Sequence, residues 1–350
     1  MSDRNVALVA GGNGIIGKAL IEHLQTLPDW TARSIARRPY AHIPSVTADL
    51  DDPIATREAL KSCGEITHLF YAALSPQPSL AEEDAVNGAM LRNLLDGLAA
   101  AGAQLSRTVL YQGAKIYGVH IGPVPSPFYE DDNPRHLGPN FYQTQEAELV
   151  DRQSTGGGDW SILRPDVVIG DAAGNAMNIA TVIGAYAAIC RATGAAFRFP
   201  GTEGVYRRVF AQMTDARALA RASIWAATAD AARNEAFNYV HEPFRWERIW
   251  TKVAGALGLE LGPPLPMTLA SHMADKAAIW DRLAREQGLN LASYDQAVGW
   301  GFGDFVFKSE FDVLSDMGKI RRAGFSETVL TELALVEAIL RQRRDKILPV

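Results

Sequence analysis

The chain begins its readable pattern with a short apolar run, Asn5–Ala10, that stops at glycines and predicts a buried strand. From Gly14 the period changes. Ile15, Ile16, Ala19, Leu20 and Leu24 recur at helical spacing, with Pro28 just beyond them. Further strands are predicted at residues 31–36, 45–48 and 67–72, and Asp52 with Pro53 opens a helix to about Lys61 between the last two. A helix over 87–101, a strand over 107–111 and a helix over about 140–153 follow. The glycines from Gly156 to Gly158 then lead into a strand at 160–164. Such alternation with short connections predicts a parallel sheet covered on both faces. After Pro165 it fades into small helices and loops, with one late strand at 235–240. The expected fold is α/β, a Rossmann-type doubly wound parallel sheet with a smaller C-terminal substrate lobe. Residues 1–165 would bind a dinucleotide, with a return strand near 235–240, and residues 166–350 would form mainly the lobe.

Composition narrows the class. A chain of 350 residues with 47% hydrophobic positions suits one large domain or two unequal ones. The net charge of −6 argues against nucleic acid or an anionic membrane surface as partner. Two distant cysteines, Cys63 and Cys190, make no disulfide framework, which fits a reducing compartment. After Asp3 and Arg4 the first apolar run is broken at once by Gly11 and Gly12, unlike a signal peptide. The run 179–190 contains Thr181, Gly184 and Tyr186 and stops at Arg191, short of the roughly 20 residues that a bilayer needs. A cytoplasmic protein with a small-molecule partner is expected, with a homodimer as the candidate assembly.

The first strand runs into Gly11, Gly12, Asn13, Gly14, Ile15, Ile16 and Gly17. Gly11 permits a tight turn, Gly14 lets the backbone approach a pyrophosphate, and Gly17 lets the helix pack close to the strand. The helix N-terminus would face the phosphates. Where an NAD site places an acid, this chain has Arg37 and Arg38, with no acid between Thr31 and Pro44. Two guanidinium groups suit a 2′-phosphate, so NADPH is the expected cofactor. Asp49 and Leu50 would lie near the adenine, although Asp49 could equally cap the next helix.

Short-chain dehydrogenases usually carry Tyr-x-x-x-Lys on one helix. The literal match, Tyr111 to Lys115, sits where a strand ends and Gly113 interrupts any helix. Tyr142 lies on the expected helix, but its i+4 partner is Glu146. With this broken motif the chain resembles the progesterone 5β-reductase and iridoid synthase-like enzymes, an atypical branch of the extended short-chain dehydrogenases. Their lysine stretch T-G-x-K-x-Y corresponds to Gln112-Gly113-Ala114-Lys115-Ile116-Tyr117, and their N-F-Y motif to Asn140-Phe141-Tyr142. The likeness runs on through Trp160-Ser161-Ile162-Leu163-Arg164-Pro165, Tyr186-Ala187-Ala188-Ile189-Cys190, Asn234-Glu235-Ala236-Phe237-Asn238 and Trp300-Gly301-Phe302-Gly303-Asp304.

The resemblance implies Lys115 and Tyr142 as the catalytic pair. It implies NADPH contacts at Asn13, Gly14, Ile15, Arg37, Arg38, Asp49, Leu50, Ala73, Leu74, Tyr111, Val168, Asn175, Ala176 and Met177. Phe302 and Trp300 match aromatic positions near the family's substrate, with a plain core role as the alternative. Tyr111, Ile116 and Gln143 depart from the plant enzymes, which puts the plant substrates in doubt. The implied reaction is 1,4-reduction of an apolar enone or enal, with hydride to the β-carbon and the enolate held by Tyr142 and Lys115. Rival readings are a nucleotide-sugar epimerase or dehydratase, which the missing lysine at 146 disfavours, and a non-catalytic NADP sensor. His241-Glu242-Pro243-Phe244-Arg245 lacks the second histidine of a zinc motif. The seven histidines (His23, His42, His68, His120, His136, His241 and His272) show no ligand spacing, so no metal is expected.

Overall fold

The computed structural model describes residues 5–41, 43–132, 138–290 and 294–350. Asp3, Arg4, His42 and His136 lie outside them. The first half alternates as expected: β1 (Asn5–Ala10), α1 (Ile15–Leu24), β2 (Trp30–Ala36), β3 (Ser45–Thr47), α2 (Pro53–Ala59) and β4 (His68–Tyr71). It continues with α3 (Leu80–Ala100), β5 (Arg107–Tyr111), α4 (Phe141–Ser154) and β6 (Asp159–Arg164). Then come β7 (Val168–Ile169), α5 (Ile179–Thr193), α6 (Glu203–Arg208), β8 (Phe210–Ala211), β9 (Thr214–Asp215), α7 (Ala216–Thr228) and β10 (Glu235–Asn238). One seven-stranded sheet has the order β10-β6-β5-β4-β1-β2-β3. Every pairing in it is parallel, and the expected late strand is the β10 edge.

Two expectations need correction. Helix α3 starts at Leu80, well before residue 87. Ser79 caps it through the Glu82 amide at 3.2 Å, and its polar first turns hid the helical period. The region after Pro165 is also not made of small helices. Helix α5 has 15 residues, α7 has 13 and the helix Thr331–Arg344 has 14. Every residue of α5 from Ile179 to Cys190 is buried, so no polar face marked a helical period in the sequence.

Helix α7 returns to the sheet and packs against α1 beneath β5 and β6. The Tyr111 hydroxyl donates to Ser223 Oγ at 2.8 Å and pins α7 to β5. A net gain of about 1 kcal/mol is typical for such a bond. A separate aromatic core, with Phe197, Phe199, Trp246, Trp250 and Phe307, holds the later helices together.

Candidate active site

The carboxyl ends of the strands gather the loops singled out in the sequence. Gly11 adopts φ +82°, and a Cβ there would sit 2.7 Å from the Ala72 carbonyl oxygen beyond β4. A Cβ on Gly17 would collide with the Gly11 carbonyl oxygen. Gly14 is the N-cap of α1 and supplies no side-chain acceptor to its first-turn amides. Those amides and the positive helix end fit the pyrophosphate of a dinucleotide. Asn13 Nδ2 donates to the Arg38 carbonyl at 2.8 Å, which ties the exposed Arg37 and Arg38 to the glycine loop.

The remaining cofactor candidates vary in exposure. Asp49 is exposed, and its carboxylate takes the Asp51 amide at 3.3 Å. The N-cap of α2 is Asp52, so capping by Asp49 is ruled out. Leu50 is buried. Ala73 and Leu74 follow β4 half-buried, and Val168 is half-buried on β7. Asn175 Oδ1 accepts the Met177 amide at 3.0 Å, and Ala176 and Met177 are exposed. Ile15 is buried and Ile16 half-buried, so the glycine loop presents chiefly backbone. The Tyr111 ring belongs to the core under α1 and α7, with its hydroxyl taken by Ser223.

Lys115 stands in the 3-10 turn Ala114–Tyr117 and Tyr142 in the first turn of α4. Asn140 joins them. Its Oδ1 accepts the Tyr142 amide at 3.1 Å, and its Nδ2 donates to the Lys115 carbonyl at 3.0 Å. Lys115 Nζ lies 5.1 Å from the Phe141 ring centre and pairs with Glu83 of α3. The Gly113 amide donates to the Tyr142 hydroxyl oxygen. Burial first, then the negative charges of Glu83 and Asp166, push the Tyr142 hydroxyl up to about 12 against the pull of that amide. At neutral pH Tyr142 therefore keeps its proton and can donate a hydrogen bond. Glu146 is held by Gln112 Nε2 at 3.1 Å and Arg164 Nη2 at 3.2 Å, so this carboxylate is committed to a structural network.

Two members of this constellation escaped the sequence reading. Glu83 carried no signal there, because an acid in a helix's first turn is ordinary. Asp166 could have been suspected from its place just beyond β6, where ligands of such sheets bind. The proposed pocket aromatics lie on the helix Trp300–Phe307. Trp300 is buried, while Phe302 is half-buried and stacks near Phe305 at 6.5 Å. A Cβ on Gly299 would collide with the Ala176 carbonyl, so this helix starts directly against the 175–177 loop. His241 Nε2 accepts the Asp215 amide at 2.9 Å, a structural role. Among the described residues no group of three His, Cys, Asp or Glu could hold a metal, and no helix is long and apolar enough to cross a membrane.

Comparison with known proteins agrees with this fold. Residues 46–349 match the family described as the PRISE-like Rossmann-fold domain. (S)-8-oxocitronellyl enol synthase CYC2 of Camptotheca acuminata is 31% identical, over 99% of this chain and 94% of the relative. A 3-oxo-Delta(4,5)-steroid 5-beta-reductase of Arabidopsis thaliana is 30% identical, over 99% of this chain and 94% of that one. Among solved structures, the Bordetella bronchiseptica enzyme WbmH in complex with NAD+ superposes with a TM-score of 0.65 at 15% identity, covering 97% of this chain and 99% of the other.

Proposed function

Since the chain belongs to the PRISE-like Rossmann-fold family, we propose that it is an NADPH-dependent reductase of activated C=C bonds, acting on small apolar enones or enals. The observation that carries this reading is the placement of Tyr142 in the first turn of α4, its hydroxyl close against Gly113 and its backbone joined through Asn140 to the turn of Lys115. Bound NADPH would supply hydride to the β-carbon of the substrate. The glycine loop from Gly11 to Gly17 would hold its pyrophosphate, and Arg37 and Arg38 its 2′-phosphate. Residues up to about 165 would carry the cofactor, and the later lobe, with Phe302 at its edge, would select the substrate.

Negative charge collects on the carbonyl oxygen as a conjugated C=C bond is reduced. Tyr142 donates its hydrogen bond to that oxygen. The Gly113 amide, by withdrawing charge from the tyrosine oxygen, makes the phenol a stronger donor. Lys115 adds positive charge, and its contact with Glu83 keeps the ammonium in place before substrate arrives. Donors preset toward developing charge are worth about 2.7–4 kcal/mol each. Nothing in this step requires Tyr142 to ionise, which suits a tyrosine without a lysine at i+4. An epimerase or dehydratase draws on a tyrosine made acidic by such a lysine, and Glu146 would oppose that.

Absorbance at 340 nm tests the reading, with NADPH and 2-cyclohexen-1-one or methyl vinyl ketone as reactants. Enone-dependent loss of NADPH is expected, with a saturated ketone as product once the α-carbon of the enolate takes a proton from solvent. No turnover with any activated C=C compound would overturn the proposal.

A further inference from the structure

Asp166 lies two residues beyond β6, half-buried and directly before a strained residue of the backbone. Its carboxylate accepts the amides of Ala114 and Val167. Ala114 directly follows Gly113, where a Cβ would lie 3.4 Å from the Tyr142 hydroxyl oxygen and 3.8 Å from the carbonyl oxygen of Pro165, the residue before Asp166, so this one turn borders both side chains. Val167 is β-branched yet adopts φ +39°, a conformation that persists only where its surroundings impose it. Here β9 imposes it from both sides. Thr214 Oγ1 accepts the Asp166 amide at 3.2 Å, and the Thr214 amide donates to the Val167 carbonyl at 3.4 Å.

The charged groups around this carboxyl are few and mostly engaged. Tyr142 faces it from α4, Lys115 belongs to the adjoining turn, and Glu83 of α3 already holds Lys115. From β9, Thr214 is uncharged and Asp215 caps the amides of Arg217 and Ala218. Arg164 is turned toward Gln112, Glu146 and the Glu130 carbonyl. Among the described residues no cation is hydrogen-bonded to Asp166.

We propose that Asp166 is a positioning residue for Tyr142, one that supports reduction while uncharged and weakens it once ionised. The inference rests on the enone-reductase reading. Uncharged, Asp166 leaves the tyrosine donor facing an oxygen on which negative charge can gather. Ionised, it sets a second negative charge beside that oxygen and competes for the same turn of amides. Burial pushes the Asp166 carboxyl up to about 7, so the change falls near neutral pH.

Two measurements test it. In infrared difference spectra of the cofactor-free protein, wild type against Asp166→Asn, a protonated-carboxyl band should disappear with a midpoint near neutrality. A midpoint in the ordinary aspartate range of about 4 would overturn the inference. In the second, kcat/KM for 2-cyclohexen-1-one is followed from about pH 6 to about pH 8.5 with saturating NADPH. The wild type should lose about tenfold or more across that range, and Asp166→Asn should be nearly flat. Asp166→Ser, which keeps an acceptor for the Ala114 amide, should also be flat and guards against misfolding of the first variant. A variant that retains the wild-type fall would overturn the role of Asp166 while leaving enone reduction standing. A wild type inert toward every enone would instead overturn the function on which the inference rests.

Discussion

The two ends of the sheet each favour neutral forms of ionisable groups, acids at one end and a histidine at the other. At the carboxyl end, Tyr142 and Asp166 rest on the neighbouring amides of Gly113 and Ala114, and burial shifts both toward their protonated, uncharged forms. At the amino end, Arg107 of β5 donates to Ser161 Oγ and to the Ala226 carbonyl, each at 3.0 Å. Beside it His68 of β4 is pushed down to about 4, by burial first and then by the Arg107 charge. Both regions keep a buried group neutral. At the amino end the neutral histidine serves a structural packing, where its ring lies 4.8 Å from Trp30. At the carboxyl end the acid and phenol border the turn that carries Lys115. Burial alone therefore does not mark a site. Convergence of donors on a place where charge can develop does.

That contrast can be broken experimentally, most severely at Tyr142. Tyr142→Phe should lower kcat for enone reduction by about 10²–10³-fold, with NADPH affinity retained in a fluorescence titration. An unaffected kcat would return Tyr142 to the status of a packing residue like Tyr111. Next in size, Arg37→Ser combined with Arg38→Ser should reduce the preference for NADPH over NADH by about tenfold or more, read as a ratio of dissociation constants.

The acid–base contrast is sharpened by melting temperatures. Asp166 has its folded value at about 7, raised from 3.8. Its favourable contribution is present below the unfolded value and is lost as pH rises through about 7. Asp166→Asn should therefore raise Tm by a few degrees at about pH 8 and by less at about pH 5. His68 has its folded value at about 4, lowered from 6.5. Its contribution is present above 6.5 and is lost as pH falls toward 4. His68→Gln should flatten the fall in Tm over that acid interval, whatever offset the substitution adds at neutral pH. If both variants instead shift Tm by the same amount at every pH, the two ends of the sheet do not differ in the way described.

Much of the first half was legible because its determinants are local. The glycines at 11, 14 and 17 act through backbone conformation and close approach, which spacing reports directly. The helix expected from about Asn140 begins there, with Asn140 as its N-cap in the structure. The later helices were harder. Helix α5 is apolar all round because neighbours enclose it on every side, and a uniform apolar stretch has no period to read. Helix α7 follows the point where the alternation fades, yet it covers the α1 face of the sheet.

By itself the sequence determined the strand–helix alternation, the glycine loop that opens α1 and the basic turn at Arg37 and Arg38. Each depends on residue type and short spacing along one segment, whereas Lys115 and Tyr142 became a candidate pair through the family resemblance. Only the tertiary structure decided what surrounds Tyr142. Glu83 reaches Lys115 across 32 positions, and Asp166 arrives from the far end of β6 beside a strained Val167 clamped by Thr214. The protonation state of a buried group depends on solvent exclusion and on charges a few ångströms away, and folding alone brings those segments together.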